Sequence, residues 1–279
     1  MASISTTSQP RVATKGGTVR HAWRRWRGGI ATVVLPLVAL AIALGAWEAW
    51  IRFDHVPRYI MAPFSTVIQI DWHQRGFLAS QAWTTLYEAL LGFLVAIIVG
   101  VLAALLIDSS WRVEQAAWPF LVGSQVMPVV AFAPIIIVWF GFGLTPKVII
   151  VALLCTFLVT IECVTGLKSL EPEKRLLCDS IGASRLQFYL KVKLPQALPS
   201  LFVGIKLAGM LALTGAVVGE FVASQRGLGH YITYEGNIPD PASATAGILF
   251  LVVMGLLLYF IISLIERLAI PWHATHRVK

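Results

Sequence analysis

Apolar residues run along this chain in long stretches that are almost free of charge. Six stand out: Ile30 to Trp47, Ala89 to Ile107, Gln115 to Pro146, Val148 to Leu167, Leu194 to Gln225 and Pro241 to Ile265. About 20 predominantly apolar residues are enough for a helix to cross a bilayer. The pattern therefore predicts an all-α integral membrane protein with six transmembrane helices, near 29–51, 83–106, 119–140, 147–167, 199–221 and 244–265. Between the first two spans, residues 52–82 predict an outer segment holding a short surface helix capped by Ser65. Residues 1–28 read as a basic, disordered tail and 266–279 as a second tail, with the five-helix core between 83 and 265.

Composition agrees with the pattern. The 279 residues are 57% apolar and 13% charged, against roughly 45–50% and about 25% in soluble domains, which excludes a two-domain cytosolic enzyme. The formal net charge of +8 does not imply nucleic-acid binding, because no basic and aromatic residues interleave on a soluble fold. Its distribution is explained by topology. With the N-terminus inside and six crossings, sixteen of the 22 Lys and Arg fall on the cytosolic side and five outside, with Lys206 within a span. Cytosolic loops carry such an excess, so the orientation is N-in, C-in. The first apolar run ends in Trp47-Glu48-Ala49-Trp50, an aromatic edge rather than a small-residue cleavage site, and is expected to be a retained helix. The tryptophans cluster near the expected span ends, where their amphipathic rings prefer to lie. Cys155, Cys163 and Cys178 form no CxxC pair and suggest neither a disulfide framework nor a zinc site.

The residues that interrupt the membrane pattern carry the most information. Between the fourth and fifth apolar runs lies a cytosolic segment, 168–195, with six basic residues and two helix signals back to back. Ser169 can cap a first helix whose opening turn holds Glu171, Pro172 and Glu173, suited to the helix dipole. Gly182 can end it in the left-handed conformation. Ser184 and Gln187 form a capping box for a second helix, which Pro195 is expected to stop. On that helix Leu186, Tyr189, Leu190 and Val192 gather apart from Arg185, Gln187, Lys191 and Lys193, a pattern suited to a partner's groove. An amphipathic loop lying on the lipid headgroups is the alternative.

Gly182, nine residues, then Val192-Lys-Leu194-Pro195 resembles the EAA loop of permease subunits of bacterial ATP-binding-cassette importers. More narrowly the chain is similar to their nitrate, sulfonate and taurine branch, from about Trp83 to Trp272. The resemblance includes Gly92-Phe93 with Gly100, Pro119 with Pro128 and Pro134, Phe140-Gly-Phe-Gly143, Leu194-Pro-Gln-Ala-Leu-Pro199, Gly204-Ile-Lys206, Gly219-Glu220, Gly227-Leu-Gly229 and Pro271-Trp272. It implies a type I importer permease fold in the bacterial inner membrane, and a small solute moved by alternating access: a nitrate-, sulfonate- or taurine-like anion or a related vitamin precursor. It also implies a second copy of the chain, two cytosolic ATPase subunits gripping 170–195, and a periplasmic or lipid-anchored substrate-binding protein. ATP and Mg would sit on the partner ATPase and no cofactor on this chain. Leu170, Glu171, Asp179, Gly182, Ala183, Ser184, Leu186, Tyr189, Leu194 and Pro195 are the coupling residues so implied. One departure is plain: Leu176-Leu177-Cys178 stands where the family carries an acid and two alanines.

Single residues refine the expectation. A charge at a helix centre costs about 2.5–3.5 kcal/mol on insertion scales, so intramembrane acids usually face the bundle or an aqueous path. Glu48 and Glu88 lie close enough to the outer interface to be solvated or to sit near the polar end of a neighbour, and Glu162 can help fix the base of the coupling segment. Glu220, after Gly215 and Gly219, is a pathway or gate candidate or a structural hydrogen-bond partner. Lys206 can snorkel to the headgroups or attract an anion. Pro128 and Pro134 interrupt helical bonding in the third span, where protein or a water-filled cavity must receive the freed groups, and mark a pathway wall.

Other chemistries find no support. There is no G-x-x-x-x-G-K-[ST] phosphate loop, no HExxH, and no histidine within a span to activate a serine; His273 and His276 belong to a basic tail. An ion-gradient-driven secondary carrier is the rival reading, and the protruding helical pair together with the lack of internal repeats argues against it.

Overall fold

The computed structural model describes residues 18–57, 60–236 and 241–272. The first part of the expected tail and the His273/His276 pair fall outside them. All regular structure among the described residues is helical: α1 (Thr18–Phe53), α2 (Phe64–His73), α3 (Arg75–Ser109), α4 (Trp111–Val126), α5 (Val129–Phe140), α6 (Leu144–Lys168), α7 (Pro172–Ser180), α8 (Arg185–Phe188), a π-helical turn (Tyr189–Lys193), α9 (Leu194–Ala223), α10 (Leu228–Gly236) and α11 (Pro241–Ala269). The chain separates into two units, 1–56 and 57–279.

In the first unit, α1 begins at Thr18, inside the stretch expected to be tail through residue 28. A helix nucleated by the apolar run propagates outward at little cost per residue, so the arginine-rich flank joins it. At its other end Glu48 and Arg52 form an ion pair one turn apart, 2.5 Å at the closest approach.

The second unit is built around α3, α6 and α9, whose close approach follows from small residues. A Cβ on Gly92 would collide with the Val151 side chain, and one on Gly100 would lie 3.0 Å from the Thr156 carbonyl and the Val159 side chain. Gly166 and Gly204 let α6 and α9 meet in the same way, over Ala197 and Glu162. Lipid offers apolar side chains no reason to leave it, so backbone approach of this kind supplies the packing energy. Val151, Cys155, Val159, Ala208, Ala212 and Ala216 are fully buried at the centre. Leu94, Ile98, Leu102 and Leu106 of α3, one turn apart, are exposed and form a lipid-facing stripe. α2 closes over the start of α11 through Val67, Ala242 and Ala246.

The third span differs from the straight helix expected over 119–140. It is a pair, α4 and α5, bent by 99°. The break falls at Met127-Pro128, where Met127 is extended and Pro128 is not helical, because a proline nitrogen cannot continue the ladder. The ends of the pair lie toward opposite ends of α3, as a broken span requires. The pair leaves α3 next to Asp108, which binds cytosolic Lys193, and enters α6 next to Lys147, which binds Glu88 near the opposite end of α3. α5 packs on α6 and α9 through Val129, Ala133, Ile136, Ile150 and Val218.

Three local expectations are corrected. Helix α2 starts after Pro63 rather than at a Ser65 cap. Ser169 closes α6, its Oγ donating to the Gly166 carbonyl at 2.8 Å, while Glu171 precedes α7. The reason is Pro172: its fixed φ suits the first helical position and pushes the residue before it to extended backbone. Pro195 does not stop a helix: the π turn runs into α9 just before it, so the proline costs one ladder bond without breaking the helix.

Candidate functional site

Two polar constellations occupy opposite ends of the α3–α6–α9 core. At the cytosolic end, α7 and α8 form a hook. The chain turns between them at Gly182, φ +70°, with the Ala183 N–H donating to the Cys178 carbonyl at 3.0 Å. The capping box forms as the sequence predicts: the Gln187 N–H donates to Ser184 Oγ at 3.2 Å, and the Ser184 N–H to Gln187 Oε1 at 3.0 Å. The expected second helix is shorter than the pattern suggested. After one α turn it widens into the π turn and runs without a break into α9, so hook and fifth span are one continuous rod.

The hook exposes apolar side chains. Leu176, Leu177, Ile181, Leu186 and Leu190 are 54–73% exposed. Cys178 turns inward, so the Leu176-Leu177-Cys178 departure puts two bulky leucines on the surface and keeps the small residue within. Polar ties fix the base of the hook. Lys168 pairs with Glu114, Gln196 Nε2 donates to the Ser169 carbonyl at 3.2 Å, and Tyr189 and Lys193 both reach Asp108.

At the outer end a buried latch joins α3 to the turn between α9 and α10. Glu220 is 1% exposed; its carboxylate accepts from Thr85 Oγ1 at 2.7 Å and from the Gly229 N–H at 2.5 Å. Thr85 Oγ1 in turn accepts from the Leu228 N–H at 2.8 Å, and Gln81 Oε1 from the Gly227 N–H at 2.6 Å. The glycines of Gly227-Leu-Gly229 are dictated here. Gly227 has φ +107°, and a Cβ on either would run into the Glu220 carboxylate. Beside the latch, Lys147 Nζ lies 2.5 Å from Glu88 Oε1 and donates to Ser224 Oγ at 2.8 Å. Of the two expectations for Glu88, solvation and a place near the polar end of a neighbour, the second is met: it is buried against Lys147 in the first turn of α6. A cavity of about 640 Å³ opens alongside, lined by Thr84, Glu88, Phe142, Lys147, Ser224 and Arg226.

The sequence-derived candidates are thus divided. Leu170, Glu171, Asp179, Gly182, Ala183, Ser184, Leu186, Tyr189, Leu194 and Pro195 all belong to the hook or its root. Glu220 belongs to the latch. Lys206 is buried in an ion pair with Glu266 of α11, 2.8 Å apart, and ends there instead of at the headgroups. Pro128 marks the α4–α5 break and Pro134 lies within α5. Sequence reasoning missed Thr85, Gln81, Asp108, Glu266 and the role of Lys147. Each acid or base among them was visible as a charge near a span end, but its partner lies 59 to 85 residues away.

Among known proteins, the family model described as "Binding-protein-dependent transport system inner membrane component" matches residues 96–272. The chain is 31% identical to a formylaminopyrimidine transport permease protein of Halalkalibacterium halodurans, over 85% of this chain and 95% of that one. It is 36% identical to a riboflavin transport system permease protein of Chloroflexus aurantiacus, over 85% and 90%, and 25% identical to the taurine transport system permease protein of Escherichia coli, over 89% and 94%. The fold is similar to that in inward-facing structures of the MetNI methionine ABC transporter, with TM-score 0.60, 18% identity, and coverage of 68% of this chain and 95% of that one.

Proposed function

The chain belongs to the binding-protein-dependent transport system inner membrane component family, and from that premise we propose that its cytosolic hook, 170–195, is the seat of the importer's ATPase. The chain is a multi-pass inner-membrane permease subunit, and ATP hydrolysis belongs to a separate subunit. What carries the assignment of the hook is its exposed apolar surface, Leu176, Leu177, Ile181 and Leu186, on a capped, rooted helix pair. A free loop on headgroups would not need a capping box or an ion-paired root. Two copies of the chain form the pathway, each holding one ATPase subunit that binds ATP and Mg, and an outer binding protein delivers solute near the Gly227–Gly229 turn. Nucleotide need only favour one of two helix packings for closure below to open the pathway above. Pro128, Pro134, Lys206 and Glu220 stand on this reading as parts of the helices that repack.

We read the solute as a small heterocyclic vitamin precursor in preference to an inorganic anion. The relatives named for formylaminopyrimidine and riboflavin are more similar to this chain than those named for taurine or nitrate. At the outer cavity the Lys147 ammonium is matched by the Glu88 carboxylate, so of the two cations that line it Arg226 alone is left to attract an anion. The test is uptake into proteoliposomes holding the permease, its ATPase and binding protein, with formylaminopyrimidine, riboflavin, taurine and nitrate as separate probes. Uptake of a heterocycle that requires internal ATP is expected. Uptake driven by an ion gradient without ATP would overturn the importer reading, and uptake of nitrate alone would overturn the choice of solute.

A further inference from the structure

The hook is continuous with α9, yet it is also fastened to α3. The Asp108 side chain at the cytosolic end of α3 is 4% exposed and accepts three hydrogen bonds: from Tyr189 Oη at 2.8 Å, and from Lys193 Nζ at 2.8 Å to Oδ1 and 2.6 Å to Oδ2. The two donors sit at the ends of the π turn, and Lys193 Nζ also lies 5.3 Å from the centre of the Tyr189 ring. Extra-wide turns of this kind within helices often mark functional positions. Ala104 and Ile107 of α3 share an apolar cluster with Tyr189 and Leu194, so carboxylate and packing meet at one joint. About 30–40 Å away along α3, at 1.5 Å per residue, Gln81 and Thr85 hold the outer latch and Glu88 lies beside it.

We infer that Asp108 is a positioning residue for transport: it clamps the π turn to α3, which makes α3 a second strut, beside α9, between the ATPase seat and the outer latch. This rests on the hook being that seat. Movement imposed on α7 and α8 passes to the outer turn along α9 through the covalent chain. At the root of the hook it passes to α3 through the Asp108 joint and the apolar cluster beside it, and of the two only the joint is directional. An ion pair that is mostly buried is direction-specific in a way lipid-facing packing is not, since its three hydrogen bonds fix where the π turn lies against the end of α3. A rod held at one end by the chain and braced at the other through α3 moves as a unit, whereas an unbraced rod can flex at the π turn.

The experiment uses the permease with its ATPase in lipid nanodiscs, spin-labelled through Gln225→Cys on both copies after the three native cysteines are replaced by alanine. Distances between the labels are compared without nucleotide and with Mg-ATP plus vanadate. In the parent, nucleotide is expected to shift the distance distribution. In Asp108→Asn, ATPase activity should stay within twofold while the shifted fraction falls at least fivefold. Asp108→Glu should restore most of it, and so should the exchange Asp108→Lys with Lys193→Asp. A full shift in Asp108→Asn overturns the inference. So does parallel loss of activity and shift that the exchange fails to restore, because Asp108 would then serve folding alone. If instead the parent shows no shift, and Leu186→Glu leaves ATPase binding intact, it is the seat itself that is misplaced.

Discussion

The two ends of the α3–α6–α9 core solve opposite problems. At the outer latch, carboxylates, hydroxyls and backbone N–H groups are turned inward, and Glu220, Thr85 and Glu88 are each at most 4% exposed. At the hook, leucines and an isoleucine are turned outward and the polar ties are confined to the root. The latch groups find most of their partners in their own chain, though Glu88 Oε2 is buried without one. The hook exposes apolar surface that nothing in its own chain covers. On the proposed reading, one end is a joint within the permease and the other the surface that the ATPase covers.

Breaking the latch should have the largest effect on stability. Lys147→Ala leaves the buried Glu88 carboxylate without its cation, and removal of one partner of a buried pair destabilises by about 3–5 kcal/mol. A thermal unfolding series in detergent should show this loss. The double change Lys147→Met with Glu88→Leu should recover most of it, because two apolar side chains of similar size need no compensation. If the single substitution is silent, the latch is not a stabilising joint.

The hook should respond in the reverse way. Leu176→Glu or Leu186→Glu should leave stability within about 0.5 kcal/mol, as exposed substitutions usually do, yet reduce co-purification of the ATPase at least tenfold. Equal loss of stability and binding would erase the contrast between the two ends. The smallest effect is expected at Ser184→Ala, which removes one half of the capping box at about 1 kcal/mol. Hydrogen exchange should quicken at Gln187, whose N–H the Ser184 hydroxyl accepts, and leave the Gly229 N–H of the latch unchanged.

Much of this contrast was legible in residue order. Five of the six spans correspond to single long helices, because apolar runs of that length have one resolution in a bilayer. The Gly182 turn and the Ser184–Gln187 box were readable because their signals are local and side-chain specific. The third span shows the limit. Pro128 announced a break but not its 99° angle, which goes with the packing of α5 on α6 and α9, contacts that no local signal encodes. Ser169 and Pro195 show another: each carries a valid capping or breaking signal that a neighbouring signal overrode, Pro172 in one case and the start of α9 in the other. The latch was the least legible part. Glu220 stood out as an intramembrane acid, but nothing near it in sequence pointed to Thr85, 135 residues earlier. Pairings of that reach are made by the packing of Gly92, Gly100 and Gly219 between helices, and they exist only once those helices have met.

The most direct test of the account replaces Leu186 with a photo-crosslinking amino acid and, in a parallel sample, Trp83, which is equally exposed on the outer part of α3. Both are irradiated in membranes containing the assembled importer. The account predicts a covalent adduct with the ATPase subunit from position 186 and none from position 83. Adducts from 186 to lipid alone, in preparations where the ATPase co-purifies, would contradict it and return the segment 170–195 to a loop lying on the headgroups.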